Sequence, residues 1–192
     1  MLKQIKIDSK KINLHLGCGE KFIDGFIHID LNEYPHIDYN LNVDDLSIFQ
    51  DNSVDSIYSS HTLEYFNPDD ANKVLTEWCR VLKVGGVLRL AVPDFKSIVE
   101  VYLKYKNINS KGILGPLYGK WKSDEGDFFY HKTAYDIDSL SQLLIKNGFN
   151  NIERFDPKNI FGKLFDDYSL AYIPHMDQNG ILISLNLQAL KK

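Results

Sequence analysis

Apolar residues form short runs that alternate with helix-like stripes as far as about residue 156. The runs have the length and composition of strands, and glycine or proline bounds several of them. They span residues 12–16, 26–30, 37–41, 54–60 and 87–92. Two later runs, at 150–156 and 180–190, predict an antiparallel pair at the edge of a sheet. Strands that alternate with helices through short joins predict an α/β fold with a mostly parallel sheet.

Three helices are predicted from their caps and apolar stripes. Asn67 is a good N-cap before Pro68, and this helix is expected to end at Gly85. Asp94 and Asp136 are predicted to cap the second and third helices. The predicted inward side chains of the second helix are Ile98, Val99, Tyr102 and Leu103. Those of the third are Leu140, Leu143 and Leu144, with Gly148 as the stop.

Composition and charge narrow the function classes. The 192 residues with 44% hydrophobic content fit a globular chain, and we expect a single domain over residues 1–192. A net charge of -4 without a basic cluster argues against a nucleic-acid partner. Two cysteines, no signal-like segment and no membrane-length apolar run predict a cytoplasmic protein without a membrane span. The six histidines lack metal-ligand spacing, so no metal site is expected.

Candidate chemistry begins at the ends of the first two strands, because ligands of such sheets bind at the carboxyl ends of the strands. Gly17-Cys18-Gly19 is a tight turn after the first strand, and Asp30 ends the second. A carboxylate there can accept both ribose hydroxyls of a nucleoside. Phe22 stands where a dinucleotide fingerprint has its third glycine, and Glu20 would repel a pyrophosphate. A cationic nucleoside such as S-adenosylmethionine is therefore favoured over a nicotinamide dinucleotide.

Four segments then identify a family resemblance. They are LHLGCGE (14–20), FIHID (26–30), FQDNSVDSIYSSHTLEYF (49–66) and RVLKVGGVLRLAVPDF (80–95). In combination they resemble the class I S-adenosylmethionine-dependent methyltransferases, close to the group with a type 11 signature. The resemblance implies a Rossmann-like, mostly parallel seven-stranded sheet with an antiparallel C-terminal strand. It also implies S-adenosylmethionine as cofactor and S-adenosylhomocysteine as product.

The resemblance also implies roles for individual residues. The turn residues Gly17, Cys18 and Gly19, with Leu16 before them, would line the methionine part of the cofactor. Asp30 would hold the ribose, and Leu31 would lie against the adenine. The segment Asn42, Val43 and Asp44 falls where the family has an acid near the adenine amino group. Ser60 and His61 would face the methionine ammonium.

The chain departs from the family pattern at several places, which include Tyr65 and Val84, and two of the departures affect the site. His15 stands where the family usually has an acid, and we hypothesise that Glu20 supplies the missing negative charge. Only residues 20–25 are available for the first helix, so that helix is expected to be truncated. Polar Asn13, His15 and His28 share one face of the first two strands. We therefore expect that face to be thinly covered: open to solvent, packed by residues 1–11, or used in a homodimer.

Candidate catalytic residues follow from the proton that a hydroxyl acceptor loses on methylation. His131 is the first candidate base, because it lies in the Gly- and aromatic-rich segment 107–135, a predicted lid over the substrate. His61 and Asp94, at strand ends, come next, whereas Glu64 is expected to orient the cofactor pocket. A small-molecule or sugar-like acceptor is expected. The alternatives are a non-catalytic nucleoside-binding or scaffold protein with the same fold and, third, an NAD-dependent oxidoreductase.

Overall fold

A computed structural model describes residues 11–108, 113–123, 126–175 and 177–192 of the chain. Its centre is a seven-stranded sheet with the strand order β3-β2-β1-β4-β5-β11-β8. The strands of this sheet are β1 (Asn13–Leu16), β2 (Ile27–Asp30), β3 (Tyr39–Asn40), β4 (Val54–Ser60), β5 (Leu82–Pro93), β8 (Phe149–Arg154) and β11 (Ser184–Lys191). Two-stranded pairs are formed by β6 (Trp121–Lys122) with β7 (Phe128–Phe129), and by β9 (Tyr172–Ile173) with β10 (Ile181–Leu182).

Strand directions confirm the predicted sheet. The first five strands pair in parallel, and β11 pairs antiparallel with both β5 and β8. The strand β8 therefore runs in the same direction as the first five, and β11 is the antiparallel C-terminal strand. This arrangement brings the carboxyl ends of β1, β2 and β4 to one edge of the sheet.

Two helices cover one face of the sheet and form the main core with it. They are α1 (Pro68–Val81) and α4 (Ile137–Lys146), and their buried side chains include Trp78, Leu140 and Leu144. The Asn67 and Asp136 side chains cap these helices as predicted. The helix α1 ends at Val81 and not at Gly85, because Leu82 is fully buried and already pairs with Val54 in the sheet.

The helix α2 (Phe95–Tyr105) buries a different face from the one predicted. Ile98 and Val101 pack against a small cluster that includes Ile113, Ile173 and Ile183. The predicted inward residues Val99, Tyr102 and Leu103 are exposed. The apolar residues of α2 are distributed around most of its circumference, so the sequence pattern did not identify the stripe that is buried. The remaining helices are short: α3 (Leu114–Tyr118), α5 (Pro157–Phe161) and 3-10 turns at Leu63–Tyr65 and Tyr168–Leu170.

The join between β1 and β2 contains no helix, which confirms the expected loss of the first helix. The sheet face that lacks this helix carries a row of polar or aromatic side chains in register across six strands. In order from β2 to β8 the row is His28, His15, Tyr58, Arg89, Gln188 and Glu153. Aromatic side chains such as Phe161 cover part of this face, beside a cavity of about 360 Å³ that Asn13, Ser56 and Arg89 help to line. No long helix crosses Asn13 or His28 within the described ranges, but His15, His28 and Tyr58 are buried beneath aromatic side chains and are not open to solvent. Packing by residues 1–11 stays a prediction, because residues 1–10 lie outside the described residues.

Candidate functional site at the carboxyl edge of the sheet

Asp30 and the glycine turn meet at the edge where β1 and β2 end. The backbone N–H of Gly19 donates to Oδ2 of Asp30 at 2.8 Å, and the N–H of Asn32 donates to Oδ1 at 2.9 Å. The carboxylate is therefore fixed against the turn, and Asp30 is only 8% exposed. The structure brings together the two features that the sequence analysis singled out for a nucleoside.

The turn requires glycine for both conformation and space. Gly17 and Gly19 have φ values of +63° and +52°, in the left-handed region that favours glycine. A Cβ atom on Gly17 would overlap the side chain of Thr62, which follows β4. The glycine turn thus packs directly against the segment that carries His61.

The other predicted cofactor residues divide into buried and exposed groups. The side chains of Leu16, Cys18 and Val43 are buried, so only their backbones are available to a ligand at this edge. Burial, with Asp30 nearby, raises the pKa of the Cys18 thiol to about 12, so this thiol stays protonated. The exposed residues of the predicted set are Glu20, Leu31, Asn42 and Asp44. A hydrogen bond from Leu41 N to Asp30 O, at 3.2 Å, places residues 42–44 next to the end of β2.

Ser60 and His61 lie at the end of β4, at the same edge. His61 has a φ of 54°, which is uncommon for a residue with a side chain and often marks a functional site. Its backbone N–H donates to Ala91 O at 2.8 Å, and its Nε2 lies 3.1 Å from Ser184 Oγ. His61 is thus held between two neighbouring strands.

Glu64 was expected to orient the cofactor pocket, but its burial between two histidines was not predicted. It sits in the 3-10 turn after β4, has no exposed surface, and lies between two histidines. Its Oε1 is 3.3 Å from His61 Nδ1 and 3.8 Å from His131 Nε2. The His-x-x-Glu spacing of residues 61 and 64 was the available signal, but the contact with His131 required the fold.

His131 reaches this cluster from segment 107–135, of which residues 109–112 and 124–125 lie outside the described residues. Its Nδ1 lies 3.0 Å from the backbone oxygen of Pro116, and the Tyr65 ring packs nearly perpendicular to its imidazole, at 4.7 Å between centroids. Burial lowers the pKa of His131, so its imidazole is neutral at pH 7. The backbone oxygen of Glu64 accepts from Lys132 N and Thr133 N, which fixes this segment to the sheet edge.

Asp94, the third candidate base, is engaged as a cap. Its Oδ1 accepts from Lys96 N at 3.1 Å, and its Oδ2 accepts from Ser97 Oγ at 3.3 Å. Arg154 lies 3.7 Å from the same Oδ2. The carboxylate therefore holds the start of α2, and its role in proton transfer stays a prediction.

Comparisons with known proteins identify a family for part of the chain. The family described as a methyltransferase domain, type 11, matches residues 26–90. No curated protein matches the chain. No helix among the described residues is long and apolar enough to cross a membrane.

Solved structures share the fold over nearly the whole chain. A Burkholderia thailandensis 1,6-didemethyltoxoflavin N1-methyltransferase, bound to 1,6-didemethyltoxoflavin and S-adenosylhomocysteine, is 13% identical, with a TM-score of 0.54 over 94% of this chain and 71% of its own. S-adenosylmethionine-dependent methyltransferases from Methanosarcina mazei and Archaeoglobus fulgidus are 18% and 15% identical, each with a TM-score of 0.56. They cover 93% and 94% of this chain, and 91% and 86% of their own.

At these identities the solved structures show a common fold and no more. The match over residues 26–90 covers β2, β4, α1 and most of β5, the part of the sheet that holds Asp30 and His61. Residues 26–90 match a methyltransferase-domain family, and the chain as a whole shares the fold of S-adenosylmethionine-dependent methyltransferases.

Proposed function

We propose that this enzyme transfers the methyl group of S-adenosylmethionine to a small-molecule or sugar-like acceptor. The proposal depends on four features that lie at one edge of the sheet. They are the glycine turn, Asp30, His61, and His131 of segment 107–135. Asp30 and the turn suit a nucleoside, whereas the two histidines suit an acceptor that loses a proton. Cofactor and acceptor groups would then lie side by side.

The residues present fit the cofactor. Asp30 uses one acceptor site on each oxygen for the backbone, and a carboxylate has about four, so sites remain for ribose hydroxyls. Leu31, beside it, is 42% exposed, which suits contact of its apolar side chain with a flat base. The cofactor supplies a methyl carbon activated by a sulfonium. The chain's own residues position that carbon and the acceptor in line.

The acceptor's proton is assigned to His131. Its Nδ1 faces a carbonyl, so Nδ1 carries the hydrogen and Nε2 is the free basic nitrogen. A neutral imidazole near pH 7 can accept a proton from a hydroxyl as the methyl group is transferred. His61 is the second candidate for the same role.

Calorimetry with S-adenosylhomocysteine tests the cofactor half of the proposal. We expect Asp30→Asn to weaken binding by about 10- to 100-fold, because a hydrogen bond to a charged group contributes roughly 1.5–3 kcal/mol. Asp24→Asn is the matched control, because it removes the same charge from an exposed residue of the same join. Equal affinity of a folded Asp30→Asn variant and the wild type would contradict the assignment.

A methyl-acceptor screen tests the other half. S-adenosylmethionine with a labelled methyl group is incubated with panels of sugars, phenols and other small hydroxyl compounds. We expect transfer to at least one compound, and a loss of roughly 10²-fold or more in His131→Gln. Transfer only to nucleic acid would overturn the choice of acceptor. Cytoplasmic localisation and a homodimer stay predictions.

A further inference from the structure

The join between β1 and β2 has no helix to satisfy its backbone N–H groups, so other acceptors must take that place. Among the described residues, the backbone of residues 20–24 makes one hydrogen bond to a residue of a strand, from Ile23 N–H to His28 Nε2 at 2.9 Å. Ile23 is buried, so loss of this bond would leave a buried N–H group without an acceptor. The His28 side chain therefore serves the join as a carbonyl oxygen would serve a helix.

The direction of this bond determines the protonation state of His28. A backbone N–H group can only donate, so Nε2 presents its lone pair and the ring hydrogen lies on Nδ1. Nδ1 lies 3.5 Å from Asp38 Oδ2, which also accepts from the backbone N–H of His28 at 2.9 Å. An imidazolium carries hydrogen on both nitrogens, so protonation of His28 would remove the acceptor of Ile23 and bring two hydrogens face to face.

The same join forms part of the cofactor site at its other end. Gly19 N–H donates to Asp30 Oδ2 at 2.8 Å. His28 and Asp30 are two residues apart on β2, so their side chains lie on one face of the strand. Side chains of β2 therefore hold the join at two points, Gly19 and Ile23. Release of the second point would leave the backbone of residues 20–24 without a strand partner beside the carboxylate that suits the ribose.

The surroundings of His28 favour its neutral form. Phe22, of the same join, stacks on its ring with 4.9 Å between centroids. Among the described residues, the titratable groups that face it are His15 from β1, and His36 and Asp38 from the join between β2 and β3. Burial, and next to it His36, lowers the pKa of His28 below 6.5, although Asp38 acts in the opposite direction. The ring is therefore mainly neutral at pH 7 and takes up a proton in mild acid.

We propose that His28 is a positioning residue of the cofactor site, where its neutral ring holds the join between β1 and β2 and its protonation releases that join. This inference rests on the proposed function, because the site that the join completes is the one for S-adenosylmethionine. His28 is 1% exposed, so it acts through the join and not by contact with the cofactor. Cofactor affinity is then full above the pKa of His28 and falls as the pH drops through it, because the bound form excludes the proton.

Calorimetry with S-adenosylhomocysteine at pH 7.5 and pH 5 tests the proposal with two variants. His28→Gln keeps an acceptor oxygen and takes up no proton, whereas His28→Phe keeps a ring and has no acceptor. At pH 7.5 we expect His28→Gln to bind within about 2-fold of the wild type and His28→Phe to bind about 10-fold more weakly. Between pH 7.5 and pH 5 the wild type should lose about 3-fold more affinity than His28→Gln. The control His175→Gln changes an exposed histidine and should follow the wild type at both pH values.

Amide hydrogen exchange of isoleucine-labelled protein measures the bond itself, without ligand. At pH 7.5 the Ile23 amide should exchange about 10-fold faster in His28→Phe than in the wild type, and at nearly the wild-type rate in His28→Gln. Ile23→Val assigns the signal. The amide of Ile57, a fully buried residue of β4, is the internal reference for an intact sheet and should not change.

The outcomes separate this inference from the proposed function. Failure of S-adenosylhomocysteine to bind the wild type at either pH would overturn the proposed function itself. Normal binding with equal losses of affinity in the wild type and His28→Gln between pH 7.5 and pH 5 would overturn the role of His28 alone. An Ile23 amide that exchanges as slowly in His28→Phe as in the wild type would do the same. If His28→Phe does not fold, the comparison of the wild type with His28→Gln still decides.

Discussion

Individual residues of the glycine turn serve both the conformation of the turn and its packing against the end of β4. Gly17 and Gly25 both adopt positive φ values, +63° and +77°. They differ in surroundings, because a Cβ on Gly17 would overlap Thr62, whereas a Cβ on Gly25 would meet nothing within 4 Å. The pair therefore separates backbone strain from steric overlap.

Gly17→Ala is expected to destabilise the protein more than Gly25→Ala. Backbone strain alone costs roughly 1–2 kcal/mol for a residue with a side chain in this region. Only Gly17→Ala adds an overlap, so its free energy of unfolding, from urea titration, should fall further. Thr62→Ala should recover part of that loss in the double variant. Equal losses for the two glycine variants would show that Thr62 does not restrict the turn.

The sequence identified the nucleoside residues more fully than the proton-transfer residues. Asp30 and the glycines were predictable, because parallel strands bring their carboxyl ends to one edge. Glu64 was assigned to the cofactor pocket, but its contact with His131 was not predictable, because His131 is distant in sequence and arrives from an irregular segment. Local sequence patterns predict where a strand ends. They do not predict which distant loop packs against that end.

Secondary-structure elements were predicted best where local chemistry marks both ends. The strand β4 was predicted and observed over the same residues, 54–60. At the edge of the sheet, β3 contains only Tyr39 and Asn40, fewer residues than the predicted 37–41. A single neighbouring strand supports it, so its length depends on one set of ladder bonds.

The start of α1 gives a prediction at this scale. Asn67 Oδ1 accepts from the backbone N–H groups of Asp69 and Asp70, both at 3.0 Å. Asn67→Ala should lower the free energy of unfolding by about 1 kcal/mol, because two N–H groups of the first turn lose their acceptor. Asn67→Asp keeps an acceptor and should retain most of the stability. Urea unfolding of both variants measures the difference, and an alanine variant as stable as the aspartate variant would contradict it.

The molecule as a whole differs from a fully covered α/β sheet on one face. Its mostly parallel strand directions follow from the alternation of strands and helices, which is local and therefore predictable. The row from His28 to Glu153 depends on the register of six strands, which no single strand reveals. The join between β1 and β2 lacks a helix, and the sheet face on that side carries polar and aromatic side chains in place of an apolar layer.

The histidines of this face make the whole molecule sensitive to acid. Burial, with smaller contributions from His28 and His36, lowers the pKa of His15 from 6.5 to about 3. Between these values the unfolded chain binds a proton at residue 15 that the folded protein does not bind. The free energy of unfolding therefore falls as the pH falls from about 6.5 towards 3. The slope approaches about 1.4 kcal/mol per pH unit for this group.

His15→Phe should remove that part of the acid sensitivity and keep an aromatic ring between Phe26 and Tyr58. Urea unfolding at pH 7 and pH 5 would show the wild type losing about 2 kcal/mol more than the variant. His28, whose pKa burial also lowers, should leave the variant with some residual pH dependence. The control His175→Gln changes an exposed histidine and should behave as the wild type. A variant that loses as much stability at pH 5 as the wild type would show that His15 is already protonated in the folded state.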